Sequence, residues 1–136
     1  MAYEESLRSI TLNADASLGI YTGVPGQPGS PDPHGAKQYH FVKVTGVHQV
    51  GLAGAADTSV VGVLQNKPQG TGHAATVGYH GVSKVVSDVA ITAGDAIKVS
   101  ADGQAAKAGA GPTVGIALNT TANPGELVSV LLLIGT

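Results

Sequence analysis

Five histidines are the residues best suited to metal or proton chemistry in this 136-residue chain, and their spacing argues against a shared ion. His40 and His48 fall in one expected strand, which at about 3.3 Å per residue separates them by roughly 26 Å. His73 and His80 flank another expected strand, and His34 lies beside Asp32 in a proline-rich segment. None has the close spacing of a zinc or HExxH site, so these imidazoles read as solvated or hydrogen-bonding side chains. Nucleophilic catalysis lacks its parts: there is no Cys and no Gly-x-Ser-x-Gly elbow. Asp88 and Asp95 flank the turn Ala90–Gly94 and read as caps for backbone N–H groups rather than as an acid/base pair. Gly70-Thr71-Gly72-His73-Ala74-Ala75 has the spacing of a dinucleotide fingerprint, but that motif needs a helix within a βαβ unit, and Ala74 begins an expected strand. Asn119-Thr120-Thr121 has glycosylation spacing and is inert without a secretion signal. No catalytic, cofactor-binding or metal-ligating set emerges.

The elements that would position any site are short strands. β-Branched runs bounded by Gly, Asn, Asp and Pro predict strands over Tyr39–Val50 with a bulge at Gly46, Val60–Leu64, Ala74–His80, Lys84–Val86, Ala96–Ser100, Gln104–Ala108, Val114–Leu118 and Leu127–Ile134. Asp102-Gly103 predicts a type I′ hairpin turn. No window carries helical periodicity, which leaves room for a single turn at Ala14–Gly19 or Ala53–Thr58. Residues 1–22, with a short strand at Ser9–Asn13, form an expected N-terminal arm. Residues 23–38 form a Pro/Gly-rich spacer, and 39–136 a β domain. The triplets Gly23-Val24-Pro25, Gly26-Gln27-Pro28 and Gly29-Ser30-Pro31 suit a semi-rigid extended spacer, with collagen-like packing relevant only in a trimer.

An offset of 53 lays Val61-Gly62-Val63-Leu64-Gln65-Asn66 over Val114-Gly115-Ile116-Ala117-Leu118-Asn119, and Ala75-Thr76-Val77 over Val128-Ser129-Val130. Either short Val/Gly strands look alike by chance, or paired β units close on themselves and remove sheet edges. The expected fold is mainly β: a small Gly/Ala/Val-rich β-barrel or β-sandwich-like domain with an extended N-terminal arm and very little helix.

Composition narrows the function. Charged residues make up 12% of the chain, with 7 Lys or Arg, against roughly 25% in ordinary domains, so no basic face is available to displace counterions from nucleic acid. The hydrophobic share of 43% excludes a disordered chain. One Phe, four Tyr and no Trp leave small and β-branched side chains to build the core. Met1–Ser9 is not expected to be a secretory signal, and the apolar stretch Leu127–Ile134 is far short of the ~20 residues of a spanning helix, so no membrane role is expected. Along that last strand Val128, Val130, Leu132 and Ile134 point one way and Leu127, Leu131 and Leu133 the other. One face can fill the core while the other meets a neighbouring subunit.

From residue 62 to the C terminus the sequence resembles the small capsid decoration (cement, head-stabilising) proteins of tailed bacteriophages. The matching stretches are Gly62-Val63-Leu64-Gln65-Asn66-Lys67-Pro68, Gly81-Val82-Ser83-Lys84-Val85, Ala93-Gly94-Asp95-Ala96-Ile97-Lys98-Val99, Gly103, Val114-Gly115-Ile116-Ala117-Leu118 and Gly125-Glu126-Leu127-Val128-Ser129-Val130. The resemblance implies a non-enzymatic homotrimer, made in the host cytoplasm, that docks on the outer surface of an icosahedral head built by a major capsid protein. An arm that orders on docking would then contact the capsid through Tyr3, Leu7, Ile10 and Leu12. Two other readings stand beside it. One is a different virion structural protein, such as a head-fibre base or tail component, or a carbohydrate-binding β module using Tyr3, Tyr21, Tyr39, Tyr79 or Phe41. The other is an enzyme, which would need a cleft gathering Asp88, Asp95 and a histidine.

Overall fold

The computed structural model describes residues 5–18, 37–68, 71–108 and 111–134. It is mainly β, with nine strands: β1 Glu5–Ala14, β2 Phe41–Gly46, β3 Gln49–Leu52, β4 Val60–Leu64, β5 Ala74–Val86, β6 Ala96–Val99, β7 Ala105–Ala106, β8 Gly115–Ala117 and β9 Leu127–Leu132. A single 3-10 turn, Ala16–Leu18, falls within the stretch expected to hold one. Tyr3, His34, the Gly-X-Pro triplets and all of the spacer before Lys37 lie outside the described residues.

Hydrogen bonding runs β1-β3-β2-β4-β5, and β5 pairs back to β1, so the first five strands close into a barrel. Part of the expected arm belongs to this barrel. Residues 5–14 are a barrel strand, antiparallel to β5 through Leu12↔Ala75 and parallel to β3 through Ala14↔Val50. Without β1 the edges of β3 and β5 would expose a row of unpaired backbone groups. The barrel interior holds Ala14, Leu18, Val42, Val50, Leu64, Ala75 and Val77, with Leu12 packed against them.

A second ring shares one strand with the first. The C-terminal half of β5 pairs with β9, then β8, β6 and β7 follow. A parallel bridge, Ser87↔Ala105, brings β7 back to the end of β5, where the Asp88 N–H donates to the Ala105 carbonyl at 2.8 Å. Expected as two strands, β5 runs unbroken because Gly81 takes φ 108°, a value that disfavours any side chain. Val82 pairs with both Glu5 and Leu131, where the two rings meet.

The rings repeat one another pairing by pairing. Val42↔Gly62 in the first corresponds to Ile97↔Gly115 in the second, and Leu12↔Ala75 to Val85↔Val128. Ala14↔Val50 and Ser87↔Ala105 are the matching parallel bridges. Asn66 Oδ1 accepts the Thr76 N–H at 2.9 Å, and Asn119 Oδ1 accepts the Ser129 N–H at 2.6 Å. Leu18 and Ile91 occupy equivalent buried positions in the two cores. The internal repeat is therefore structural, and it extends beyond the strands in which it is visible in the sequence.

Two local expectations change. The chain expected as one strand, Tyr39–Val50, turns back at Val47-His48, with His48 at φ 51°, to form the β2–β3 hairpin. The Asp102-Gly103 turn has positive φ only at Gly103, at 74°, where type I′ needs two. The Gly103 N–H donates to the Ser100 carbonyl and the Ser100 N–H to the Gln104 carbonyl, the pattern of a three-residue loop with a left-handed glycine.

Deleting residues 5–14 is expected to open the first barrel, seen as loss of cooperative thermal unfolding and gain of hydrophobic-dye binding. Asn119→Ala is expected to lower stability by about 1–3 kcal/mol, because it strips the acceptor from a buried backbone N–H. Asn66→Ala, whose partner Thr76 is half-buried, should cost less; urea midpoints of the two variants check that order.

Candidate interaction surfaces

The polar residues that could do chemistry are mostly engaged in holding strands and turns. His40 is buried, with Nδ1 3.1 Å from the Gln38 carbonyl, and burial holds its imidazole below the usual value of 6.5, partly opposed by that carbonyl. His48, His73 and His80 are exposed. Because of the hairpin, His40 and His48 are not separated along one strand; what distinguishes them is burial. Asp95 Oδ2 accepts the Thr92 N–H at 2.8 Å and so caps its turn. Lys43 Nζ lies 2.9 Å from Asp57 Oδ2, and this bond, with the Gly54 N–H, holds the Asp57 carboxyl below its usual range.

The buried serines follow the same rule. Ser87 Oγ donates to the Glu126 carbonyl at 2.9 Å, and Ser100 Oγ accepts the Gln104 N–H at 3.0 Å. Gln65 Nε2 donates to Ser83 Oγ at 2.8 Å. In the sequon, Asn119 is committed to Ser129, and Thr121 Oγ1 accepts the Ile91 N–H at 3.2 Å. Ala74 begins β5, so the fingerprint-like glycines lead into a strand.

Among the described residues no three His, Asp or Glu side chains come together. One cleft of about 490 Å³, at the end of the first barrel, is lined by Thr11, Leu12, Asn13, His48, Gly72 and Ala74. Another of about 390 Å³ is lined by Asp88, Val89, Ala90, Ala106, Lys107 and Ala108. Neither joins Asp88 with Asp95 and a histidine.

What the surface offers instead is apolar. On β9, Val128, Val130 and Leu132 are buried, while Leu131 is exposed and Leu127 and Leu133 are half-buried. Cross-strand pairing continues the outward row from Leu131 to Ile116 and Ala96, with Leu118 exposed just beyond β8. Of the expected arm contacts, Leu7 packs against the core shared by the two rings and Leu12 against the first barrel's interior. Ile10 alone of the described three is exposed, together with Val44, Val47 and Tyr79. Tyr79 is among the aromatics named from the sequence, whereas Val44 and Val47 are not, because Val44 has inward parity and Val47 lies in what reads as one continuous strand.

Neither a protein-family model nor any curated protein matches the sequence. Among solved structures, the fold is similar to the crystal structure of head fiber gp8.5 N base in bacteriophage phi29, with 17% identity, 93% of each chain covered and a TM-score of 0.57.

Because the folded protein favours neutral His40, its contribution to stability is complete above the unfolded value near 6.5 and declines as pH falls below it. His40→Gln should flatten the stability profile as pH falls below about 6.5, as measured by urea unfolding.

Proposed function

We propose that this chain is a structural protein of a tailed-phage virion that binds the outer surface of the head as a homotrimer, in a capsid-decorating role. The observation that carries this reading is the fold itself, a closed barrel with a second ring of strands, which is similar over 93% of both chains to a head fiber base of bacteriophage phi29. The ordered run of motifs from Gly62 to Val130 that resembles decoration proteins supports it. So does a surface on which uncharged side chains, rather than a cleft with reactive groups, are the distinctive feature. The partners are further copies of the chain and the major capsid protein. Leu7 and Leu12 are occupied in the protein's own cores, so the capsid contact proposed for the arm falls to residues ahead of Glu5, Tyr3 among them.

A second reading, the base of a head fibre, is favoured by what the structural neighbour is called. A carbohydrate-binding module gains less support. Phe41 is fully buried, and Lys84 Nζ lies 5.9 Å from the ring centroid of half-buried Tyr39. Tyr79 is the one exposed aromatic among the described residues, where sugar stacking wants a platform.

Purified protein mixed with empty heads of its phage is expected to add trimeric density on the outer surface at three-fold positions in cryo-microscopy. Heads left bare at saturating protein would overturn the reading, and density carrying a projecting fibre would favour the second.

A further inference from the structure

One end of each barrel behaves differently. At the hairpin end of the first barrel Ile10, Val44 and Tyr79 are 44%, 47% and 38% exposed, beside half-buried Val61. Their counterparts in the second ring, by the matched pairings, are Ser83, Val99, Leu132 and Val114, and these are 0%, 6%, 4% and 3% exposed. The first barrel covers them. Its outward Phe41 and Val63 belong to the same buried cluster as Val99, Val114 and Leu132. Gln65 bonds Ser83, and the Phe41 N–H donates to the carbonyl of Gly103 at the tip of the β6–β7 hairpin at 2.7 Å. Within the chain, then, the rim of the second ring sits on the flank of the first.

Both halves of that contact are displayed a second time without a mate among the described residues. The open rim is Ile10, Val44, Val61 and Tyr79. The flank equivalent to Phe41, Val63, Gln65 and Gly78 is Ala96, Ile116, Leu118 and Leu131, of which Leu118 and Leu131 are 38% and 39% exposed. Neither set contains a charged side chain.

We infer that copies of this chain associate head to tail, the first-barrel rim of one copy seating on the second-ring flank of the next and repeating the barrel-to-barrel contact inside the chain. A second copy is the occupant because each surface has its complement, on the same backbone framework, elsewhere in the same molecule. The two surfaces are unlike, so the contact is heterologous and either closes into a ring or propagates. This deepens the homotrimer part of the proposed function, as a closed ring of three, and makes no use of capsid binding.

The Gln65–Ser83 contact sets the test, since its counterpart between copies is Leu118 of one with Ile10 of the next. The chain has no native Cys, so Ile10→Cys and Leu118→Cys can be joined by a short bis-maleimide in the absence of capsids. Mixing the two single variants is expected to give crosslinked dimers, and the double variant higher species, while neither single variant crosslinks alone. Leu131→Asp, at a surface position, should keep its circular dichroism spectrum and sediment as a monomer. Absence of crosslinks in the mixture, or equal crosslinking of each single variant alone, would overturn the head-to-tail contact. Capsid binding that persists in either case would leave the proposed function standing.

Discussion

The structure depends on one strand serving both the closed barrel and the second ring. The N-terminal half of β5 closes the first ring against β1, and its C-terminal half opens the second against β9. Ala75 and Val77 accordingly lie in the first core and Val85 in the second. The change of partner happens at Gly81, where a positive φ lets the chain alter course without interrupting the strand. Adjacent strands inherit the same double duty. On β4, Val63 faces the shared core and Leu64 the first barrel, and on β2 Phe41 and Val42 divide in the same way. Strands buried on both faces read as continuous apolar runs with little room for charge, which is how a chain with 12% charged residues folds without excess polar surface.

Much of this was legible in the sequence. Strand positions from Val60 onward follow from β-branched runs between turn residues, and the offset of 53 between Asn66 and Asn119 marks equivalent strand-bracing side chains in the two rings. The remainder was hidden for physical reasons. Val42 matches Ile97 at an offset of 55 and Leu12 matches Val85 at 73, so no single shift aligns the halves. The β2–β3 hairpin turns on His48 in a left-handed conformation, at the position held in the second ring by Gly103, and a histidine there sends no turn signal. The role of β1 was obscured because its partner in β5 is distant in sequence, so its modest apolar content looked like that of an arm.

The same duplication explains the fate of the polar residues. Ser83, Ser87, Ser100 and Asn119 are tied to backbone or side-chain groups at strand ends and crossings, where a barrel built from short strands would otherwise leave buried donors and acceptors without partners. Their types suggest chemistry, while their hydrogen bonds show that they brace the fold.

The two offsets of 73 and 55 differ by 18 residues, the length of the segment 19–36 that only the first repeat carries. It lengthens the loop that must close before the first barrel can form: Leu12 meets Ala75 across 63 positions, whereas Val85 meets Val128 across 43. Loop-closure entropy grows only logarithmically with length, so the difference amounts to about 0.3 kcal/mol. Equilibrium stability is therefore nearly indifferent to how long this segment is. Chain length between Leu18 and Lys37 thus weighs little on whether the first barrel closes.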